Sequence, residues 1–422
     1  MHTAEILSQG DEVVTGQTVD TNAAWLSTQL TGLGYQVVRH TSVGDRLADL
    51  VLLFREIGAR SQLCVCTGGL GPTDDDLTAQ AVAEAFARPL QLDPQALADL
   101  VEKYERAGRQ MPAVNERQAM LPEGSVRVDN PWGTAPGFAF DGGGCFFVCL
   151  PGVPREMKGM FDQLVAPLLA ERFAVRPGSL VTLRTIGVGE SNLQQLIGPF
   201  DEPDVVLSYR TMLPENHLKL RFDPEVGEAR ITQVVESLAS KVGKWVFTIE
   251  GLQSVSEALA VFDTSGGSHV EVTARHLADG GHTLATAESC TGGRIAAACT
   301  SVPGASAWFL DGRVTYSNAA KVALLGVTSE ALDAHGAVSE VVARQMAEGV
   351  RTRAGTTFGI GITGIAGPGG GTEAKPVGTV HLALATPERT RHRLLRLPGD
   401  RERIQRLAVA SALELLRRTL VS

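Results

Sequence analysis

Short apolar runs alternate with amphipathic stretches along most of the chain, and this alternation predicts the fold class. In the first part, four mainly apolar runs predict strands at residues 4–8, 36–39, 63–66 and 145–150. Between the first two, residues 21–33 carry apolar side chains at helical spacing, with Asp20 or Thr21 as the N-cap. Such alternation is typical of βαβ units, so we predict an α/β domain with a mostly parallel sheet over residues 1–165.

The pattern changes twice further along the chain. Residues 166–255 predict a small α+β module, with strands at 181–187, 205–209 and 217–222 and helices at 190–197 and 231–242. A glycine- and serine-rich stretch, 264–268, indicates a flexible linker or hairpin tip within a linker over 256–268. Strand and helix alternate again over 269–422, which ends in a helix predicted at 401–420. The sequence therefore predicts two α/β domains joined by a small α+β module.

Composition narrows the classes of function. The chain has 422 residues, of which 44% are hydrophobic, so it can bury more than one core. Its net charge of −9 argues against binding to nucleic acid through a basic surface. No apolar run reaches the about 18 residues of a membrane span, and the N-terminus lacks a secretion signal, so we expect a cytoplasmic protein without membrane contact. The six cysteines form no CxxC motif and are interpreted as buried apolar residues.

Glycine-rich loops follow the predicted strands of the first domain, where ligands of open α/β sheets bind. The sharpest, residues 68–78, combines three glycines with three consecutive aspartates. Glycines let backbone amides approach an anion, and carboxylates hold a hard cation against a phosphate. The alternative is an acidic first turn that caps a helix. Similar loops at residues 10–17, 130–137 and 151–156 favour a binding site.

A serine at a strand-to-helix turn is the main chemical candidate in the third region. Ser289 follows a strand predicted at 283–286 and precedes two glycines and a helix, a place where a nucleophile or an anion cradle is built. Because no histidine lies nearby in the sequence, its base would be Tyr316 or Lys321 at a lowered pKa. Alternatively, Tyr316 is a packed aromatic residue and Lys321 a solvated helix charge. Cys290 is the rival nucleophile, disfavoured because no neighbouring histidine activates it.

A second glycine-rich loop in this region spans residues 359–371. Its glycine density allows backbone N–H groups to line a pocket for a phosphate or an oxyanion. The last three glycines fit a merely flexible loop better than the part over residues 363–367.

These motifs resemble those of the CinA family, in the expected order and over essentially the whole chain. The segments similar to its molybdopterin-binding-type domain are Gly10-Asp11-Glu12, Asp20-Thr21-Asn22, Gly68-Gly69-Leu70-Gly71-Pro72-Thr73-Asp74-Asp75-Asp76, Gly133-Thr134-Ala135-Pro136-Gly137-Phe138 and Leu150-Pro151-Gly152-Val153-Pro154. Those similar to the CinA C-terminal domain are Ala287-Glu288-Ser289-Cys290-Thr291-Gly292-Gly293, Tyr316-Ser317-Asn318 with Lys321, and Gly361-Ile362-Thr363-Gly364-Ile365-Ala366-Gly367-Pro368.

The resemblance implies two activities on small nucleotides. The C-terminal domain would deamidate nicotinamide mononucleotide to nicotinic acid mononucleotide and ammonia in pyridine nucleotide salvage, without a cofactor. The N-terminal domain would be an ADP-ribose pyrophosphatase that uses a divalent metal ion such as Mg²⁺. The middle region would be a KH-like fold, and the assembly a homodimer.

The resemblance also implies residue roles. Ser289 would be the nucleophile, activated by Tyr316 and Lys321. The substrate-binding residues in the C-terminal domain would be Glu288, Thr291, Gly292, Asn318, Thr363, Gly364, Ala366, Gly367 and an arginine, Arg401 or Arg403. Since family members commonly have arginine at the position of Gln405, the choice of arginine stays open. In the first domain, the corresponding residues would be Gly68, Gly69, Gly71, Thr73, Gly133, Thr134, Pro151 and Gly152, with Asp11, Asp75 and Asp76 as ligands of the metal or pyrophosphate.

Two other functions remain open at this point. The first domain could bind a pterin or nucleotide without turning it over, as a regulatory protein linked to competence or DNA damage. The middle module could instead meet nucleic acid, although it shows no GXXG clamp and mixes basic with acidic residues. Metal-dependent release of AMP and ribose 5-phosphate from ADP-ribose would separate the enzyme from the binding protein.

Overall fold

The computed structural model describes residues 2–421 and divides the chain into two units, Met1–Gly178 and Ser179–Ser422. Strands alternate with helices in the first unit and in the last part of the second, which confirms the predicted α/β class. The order and bounds of the first unit's strands are β1 (Thr3–Gln9), β2 (Gln36–Val43), β3 (Leu63–Thr67), β4 (Leu90–Leu92), β5 (Met120–Pro122), β6 (Val126–Val128), β7 (Gly137–Gly142) and β8 (Cys145–Leu150).

Six of these strands form one mixed sheet in the order β2-β1-β3-β8-β7-β6. The pairs from β2 to β8 are parallel, and β7 and β6 continue the sheet antiparallel. Alternate residues of the central strands contribute to two separate apolar clusters, as Val65 and Cys66 do. Burial on both faces explains why β8 is apolar throughout. Strands β4 and β5 form a separate antiparallel pair.

Helices cover this sheet. Of the two residues predicted as an N-cap, Asp20 and Thr21, the structure has Asp20 in that place, where its side chain accepts a hydrogen bond from the amide of Ala23 at 2.8 Å. Leu26 and Leu30 of the helix that follows lie in the core beneath it. The helices of the unit are α1 (Asp11–Val14), α2 (Thr21–Gly32), α3 (Leu47–Arg60), α4 (Thr78–Phe86), α5 (Pro94–Arg106), α6 (Pro154–Met160) and α7 (Ala166–Arg172).

The first unit extends beyond the boundary predicted at residue 165. A π-helical turn, Phe161–Val165, joins α6 to α7 without a break. Leu169 of α7 is fully buried in the same cluster as β1 and β8. A boundary at 165 would cut this continuous helix, so the unit ends at Gly178.

The first half of the second unit is an α+β module, as predicted. Its four strands form an antiparallel sheet in the order β10-β11-β9-β12, with two helices packed on the sheet around Leu183, Leu218 and Val235. This connectivity is the split βαβ arrangement. The elements are β9 (Leu180–Ile186), α8 (Glu190–Ile197), β10 (Val205–Met212), β11 (Glu215–Phe222), α9 (Glu228–Val242) and β12 (Val246–Glu250).

The second half of this unit contains a five-stranded mixed sheet in the order β14-β13-β15-β16-β17. Strands β14, β13 and β15 are parallel, and β16 and β17 are antiparallel additions. The elements are α10 (His269–Asp279), β13 (Leu284–Glu288), α11 (Arg294–Thr300), β14 (Phe309–Val314), α12 (Asn318–Leu325), α13 (Ser329–His335), α14 (Glu340–Ala354), β15 (Phe358–Gly364), β16 (Thr379–Ala385), β17 (Thr390–Arg396) and α15 (Arg401–Leu420).

The stretch predicted as a flexible linker is held by hydrogen bonds. The amide of Gly267 donates to the Glu250 carboxylate at 3.0 Å, and Asp263 accepts from the Ile249 amide at 2.8 Å. Arg275 of α10 pairs with Asp263 at 2.9 Å. These contacts fix the connection between β12 and α10. Within the part of the chain that the structure describes, no helix is long and apolar enough to cross a membrane.

Candidate functional site

The strand ends of the last sheet bring Ser289 and Lys321 together. Ser289 follows β13, and its amide donates to the carbonyl of Ile362 in β15 at 3.0 Å. Lys321 lies in the first turn of α12, which begins after Ser317 because the Ser317 hydroxyl accepts from the Ala320 amide at 3.1 Å. The Lys321 Nζ donates to the Ser289 Oγ at 3.2 Å. The pair that the sequence predicted is therefore formed.

The surroundings of Lys321 make it easier for its amine to lose a proton. Its side chain is only 1% exposed, and its Nζ also donates to the carbonyls of Thr315 at 2.8 Å and Tyr316 at 3.3 Å. All three partners are uncharged. Burial lowers the pKa of Lys321, because the charged form loses hydration in the interior. A buried lysine with a lowered pKa can accept a proton from a neighbouring hydroxyl.

The neighbouring thiol is poorly suited to act as the nucleophile. Cys290 is 5% exposed, and burial raises its pKa to about 12. A thiol must ionise to attack a carbonyl, and this one stays protonated near neutral pH. Its backbone carbonyl accepts a hydrogen bond from the Gln405 Nε2 at 2.7 Å. Of the two candidate nucleophiles, the geometry favours Ser289.

The Tyr316 side chain does not lie where its predicted role requires. The group that meets Lys321 is the Tyr316 backbone carbonyl. The aromatic side chain is 62% exposed, and its hydroxyl accepts from Arg401 at 3.3 Å. Because Tyr316 sits between β14 and α12, its backbone follows the loop while its side chain points outward. The prediction that its hydroxyl activates Ser289 is therefore not supported by the geometry.

The Glu288 side chain stabilises the protein structure, whereas the sequence predicted that it binds substrate. Its carboxylate is buried and accepts hydrogen bonds from the amides of Gly293, Ile295 and Ala296 at 3.0, 3.1 and 2.8 Å. These amides are the unpaired donors at the start of α11, which a carboxylate also stabilises through the helix dipole. With its acceptors engaged, Glu288 fixes the loop that carries Ser289. The same amides are then unavailable to a substrate phosphate.

The other predicted residues near the pair differ in burial. Thr291 is fully buried, and within residues 2–421 its hydroxyl has no hydrogen-bond partner. A buried hydroxyl without a partner is costly and suits a site that a ligand completes. Gly292 has φ of +61°, which favours glycine, and Asn318 is exposed at the first position of α12.

The glycine loop after β15 divides into structural and accessible parts. The Thr363 hydroxyl donates to the carbonyl of Ala337 at 2.9 Å, so it holds a neighbouring segment. Gly364 lies close to the β16 backbone, where a Cβ would come within 2.7 Å of the Thr379 carbonyl oxygen. Ala366 is buried, and Gly367 has φ of +83°. The Gly367 carbonyl accepts from Arg401 at 2.8 Å, which ties this loop to α15.

The structure separates the two candidate arginines. Arg401 reaches the Gly367 carbonyl and the Tyr316 hydroxyl, whereas Arg403 lines a cavity that excludes Ser289 and Lys321. One turn along α15 from Arg401, the Gln405 side chain accepts from Arg294 at 3.0 Å. Arg294 and Arg401 are thus oriented by uncharged acceptors beside the serine loop. Sequence reasoning missed Arg294, whose only signal was its position at the start of a helix after two glycines.

In the first unit, the ends of β1, β3 and β8 form a close backbone cradle. Gly68 and Gly69 have φ of +105° and +66°, which non-glycine residues rarely adopt. Asn22 of α2 donates to the Gly152 carbonyl at 2.8 Å and to the Thr67 hydroxyl at 3.2 Å. Thr67 in turn donates to the Pro151 carbonyl at 3.0 Å. The predicted residues Gly68, Gly69, Pro151 and Gly152 are therefore brought together.

Two polar atoms at this edge lack partners. Within the described residues, the Ser8 hydroxyl of β1 and the Asn22 Oδ1 are buried and accept or donate no hydrogen bond. Because the Asn22 amide nitrogen is already engaged, its free oxygen would accept from a ligand donor such as a hydroxyl group. Sequence reasoning placed Asn22 in a motif without giving it a role.

The other predicted residues of the first unit form turns around this cradle. Thr73 donates to the Asp76 carboxylate through its amide at 2.8 Å and its hydroxyl at 2.6 Å. Gly71 packs against the same carboxylate. The Gly133 carbonyl accepts from Lys103 at 2.8 Å, and the Thr134 hydroxyl accepts from Gln118 at 3.5 Å.

The three aspartates predicted as metal ligands do not form a ligand set. The Asp11 carboxylate accepts from the Asp45 amide at 3.1 Å, and the Asp76 carboxylate is engaged by Thr73. Asp75 presents its carbonyl to Gln9 at 3.0 Å. Across residues 2–421, no group of three or more histidine, cysteine, aspartate or glutamate side chains is arranged to hold a metal ion. A divalent ion here would be held by one or two carboxylates and would take its remaining oxygen ligands from the substrate and water.

Two family models match the chain, one in each unit. The model described as "Probable molybdopterin binding domain" matches residues 5–171, and the one described as "CinA C-terminal domain" matches residues 267–420. The first range ends at residue 171, within α7. The second includes Ser289, Lys321 and Arg401.

Full-length relatives share both parts. A CinA-like protein from Anaeromyxobacter sp. strain Fw109-5 is 45% identical over 419 residues, which are 98% of each chain. A CinA-like protein from Anaeromyxobacter sp. strain K is 43% identical over 417 residues, again 98% of each chain. The crystal structure of a competence/damage inducible protein from Agrobacterium tumefaciens is 42% identical, covers 37% of this chain and 98% of its own, and has a TM-score of 0.35. Because the two Anaeromyxobacter relatives match 98% of the chain at more than 40% identity, the chain belongs to the CinA family.

Proposed function

We propose that the C-terminal part of this chain deamidates nicotinamide mononucleotide, with Ser289 as nucleophile and Lys321 as its base. The observation that carries the proposal is the 3.2 Å hydrogen bond between the Lys321 Nζ and the Ser289 Oγ, in surroundings that lower the pKa of the lysine. A nucleophile and base within hydrogen-bond reach are what acyl transfer from an amide requires.

The steps follow from this pair. Neutral Lys321 takes the proton of the Ser289 hydroxyl while the Oγ–carbon bond to the carboxamide forms and the carbonyl oxygen becomes an oxyanion. Collapse of this intermediate breaks the C–N bond, and the Lys321 ammonium gives its proton to the leaving nitrogen, which departs as ammonia. Water then attacks the ester, with Lys321 again taking and returning the proton. The products are nicotinic acid mononucleotide and free Ser289.

Binding of the nucleotide needs a phosphate partner and an oxyanion partner. Since Glu288 occupies the amides at the start of α11, the oxyanion would meet amides of the loop over residues 364–367 or those directly after Ser289. Arg401 and Arg294 are oriented by uncharged acceptors, so their guanidinium charge is available to a phosphate.

Two variants test the nucleophile. Ser289→Ala should abolish ammonia release from nicotinamide mononucleotide, and Cys290→Ala should retain it, with ammonia and nicotinic acid mononucleotide followed in parallel. The Cys290 variant is the matched control because it removes one sulfur atom from the adjacent residue. Retained turnover in Ser289→Ala together with loss in Cys290→Ala would assign the reaction to the thiol.

For the first unit we propose that the ligand is a nucleotide pyrophosphate and that ADP-ribose is the substrate. The unpartnered Ser8 hydroxyl and Asn22 Oδ1 beside the glycine cradle support a ligand that carries hydroxyl groups as well as phosphates. Purified chain would be incubated with ADP-ribose, with and without Mg²⁺, and AMP and ribose 5-phosphate measured. Binding of ADP-ribose without turnover, with and without Mg²⁺, would favour the regulatory binding protein. Asn22→Leu should weaken the binding of ADP-ribose in either case.

A further inference from the structure

A cavity of about 780 Å³ lies inside the second unit and includes neither Ser289 nor Lys321. One wall comes from the α+β module, at the turn after β9, the β10–β11 turn and Trp245. The opposite wall comes from β17 and α15 of the C-terminal part. This volume is in the range of about 300–1,000 Å³ that small-molecule pockets occupy.

The residues that line this cavity carry a net positive charge, whereas the chain as a whole is negative. Four basic residues and two acidic ones line it, whereas the whole chain carries a net charge of −9. Both acidic side chains are engaged, since Glu414 pairs with Arg417 and Arg418 of the same helix and Glu190 accepts from the Thr211 hydroxyl at 2.6 Å. The excess positive charge is therefore available to a ligand.

Among the described residues, three of the basic side chains form no ion pair, although the Lys244 Nζ lies over the Trp245 ring at 5.0 Å from its centroid. Within residues 2–421, Lys244, Arg393 and Arg403 take part in no ion pair, in contrast to Arg418, which is held by Glu414. Arg393 and Arg403 are exposed, so their guanidinium groups can turn toward the cavity at little cost. Arginine presents a planar fork of donors that matches a phosphate or carboxylate.

The rest of the lining is apolar and aromatic. Leu395, Leu397 and Leu407 face it from β17, the segment after β17 and α15, and the indole of Trp245 lies opposite. Such a surface favours a planar or apolar group by its removal from water. A ligand that fills the cavity must therefore combine an anionic end with a flat, weakly polar body.

We propose that this cavity binds an organic phosphate of the mononucleotide type, with its phosphate on Arg393 and Arg403 and its base between Trp245 and the leucines. The cavity is separate from the serine site. In the first turn of α15, Arg401 contacts the Gly367 carbonyl, whereas Arg403 lines the cavity. The proposal does not depend on deamidation, and its ligand would bridge the two halves of the unit.

The test uses the full chain with AMP as probe, and adenosine and inorganic phosphate as its two parts. Amide hydrogen exchange would be followed by mass spectrometry, which locates binding even if AMP also occupies other sites. Millimolar AMP should slow exchange at residues 186–190 and 393–397, and adenosine should not. Inorganic phosphate should protect these segments less than AMP, because it lacks the group that meets the apolar wall.

Arg393→Glu should weaken this protection at least about tenfold in AMP concentration, as expected for loss of a charge-assisted contact. The matched control is Arg406→Glu, which reverses an exposed charge on α15 outside the cavity lining and should bind AMP as the unmodified chain does. Circular dichroism would establish that both variants fold. Unchanged exchange at both segments with AMP, or equal protection in the two variants, would overturn the proposal.

Discussion

Replacement of Lys321 by methionine separates its part in catalysis from its part in packing. Methionine keeps the length and most of the volume of the side chain but removes the amine that meets Ser289 and two carbonyls. A general base contributes about 10²–10⁴-fold to the rate. We therefore expect kcat for ammonia release to fall by that factor, which corresponds to roughly 3 to 5 kcal/mol.

The same substitution should change stability much less. The carbonyls of Thr315 and Tyr316 lose a donor, at about 1–3 kcal/mol for each buried group left unpaired. The folded state no longer has to bury an amine whose pKa is lowered by desolvation, which offsets part of this cost. The net change in the free energy of unfolding should be below about 3 kcal/mol, measured by urea denaturation.

The assay is ammonia release at saturating nicotinamide mononucleotide, with Lys375→Met as control. Lys375 donates to the His335 carbonyl at 3.0 Å and has no contact with Ser289, so its variant should keep full activity. In the unmodified chain, kcat should rise with pH as Lys321 loses its proton, with the midpoint of the rise below the usual lysine pKa of 10.5. A folded Lys321→Met variant with kcat within threefold of the original would refute the assignment of the base.

Substitutions at three further positions test other contacts. Glu288→Ala leaves three amides at the start of α11 without an acceptor and should lower the free energy of unfolding by about 3 kcal/mol in urea. Glu288→Gln keeps one acceptor and should lose less; equal losses in the two variants would contradict a part for hydrogen bonding and assign the whole effect to the charge. Gln405→Leu frees Arg294 and the Cys290 carbonyl and should raise KM for nicotinamide mononucleotide about tenfold, and an unchanged KM would disconnect this contact from binding. Burial raises the pKa of Glu414, but hydrogen bonds from His269 and Arg417 outweigh it and leave the pKa well below its usual value. Its stabilisation is complete above that usual value and is lost as pH falls, so the stability difference from Glu414→Gln should shrink between about pH 5 and pH 1 in urea titrations; a constant difference would contradict this linkage.

The elements with one dominant pattern were predictable from the sequence. Strand β8 is apolar at every position, and α15 keeps an apolar face over five turns, so both were placed at their observed bounds. Strand β17 contains three arginines and a histidine, which gave no strand pattern. It is an edge strand that, within residues 2–421, pairs with β16 alone. The continuation of the helix past residue 165 into α7 could not be predicted, because it depends on the burial of Leu169 in the core.

The site was predictable where spacing along the chain determines contact. Ser289 and Lys321 each follow the end of a parallel strand, and neighbouring strands bring such ends together. The direction of the Tyr316 side chain and the engagement of Glu288 depend on loop conformation, which residue types alone do not determine. The pairing of Arg294 with Gln405 joins residues 111 positions apart and could be found only from the fold.

The burial of every cysteine makes this chain a convenient background for site-specific chemistry. All six thiols are free and buried, and burial raises the pKa of Cys66, Cys145 and Cys290, so maleimide reagents should find little to modify in the folded protein. A single cysteine introduced on the surface would then carry a dye or spin label without removal of the native ones. Placed on α8, next to the cavity, such a label would report ligand entry in real time.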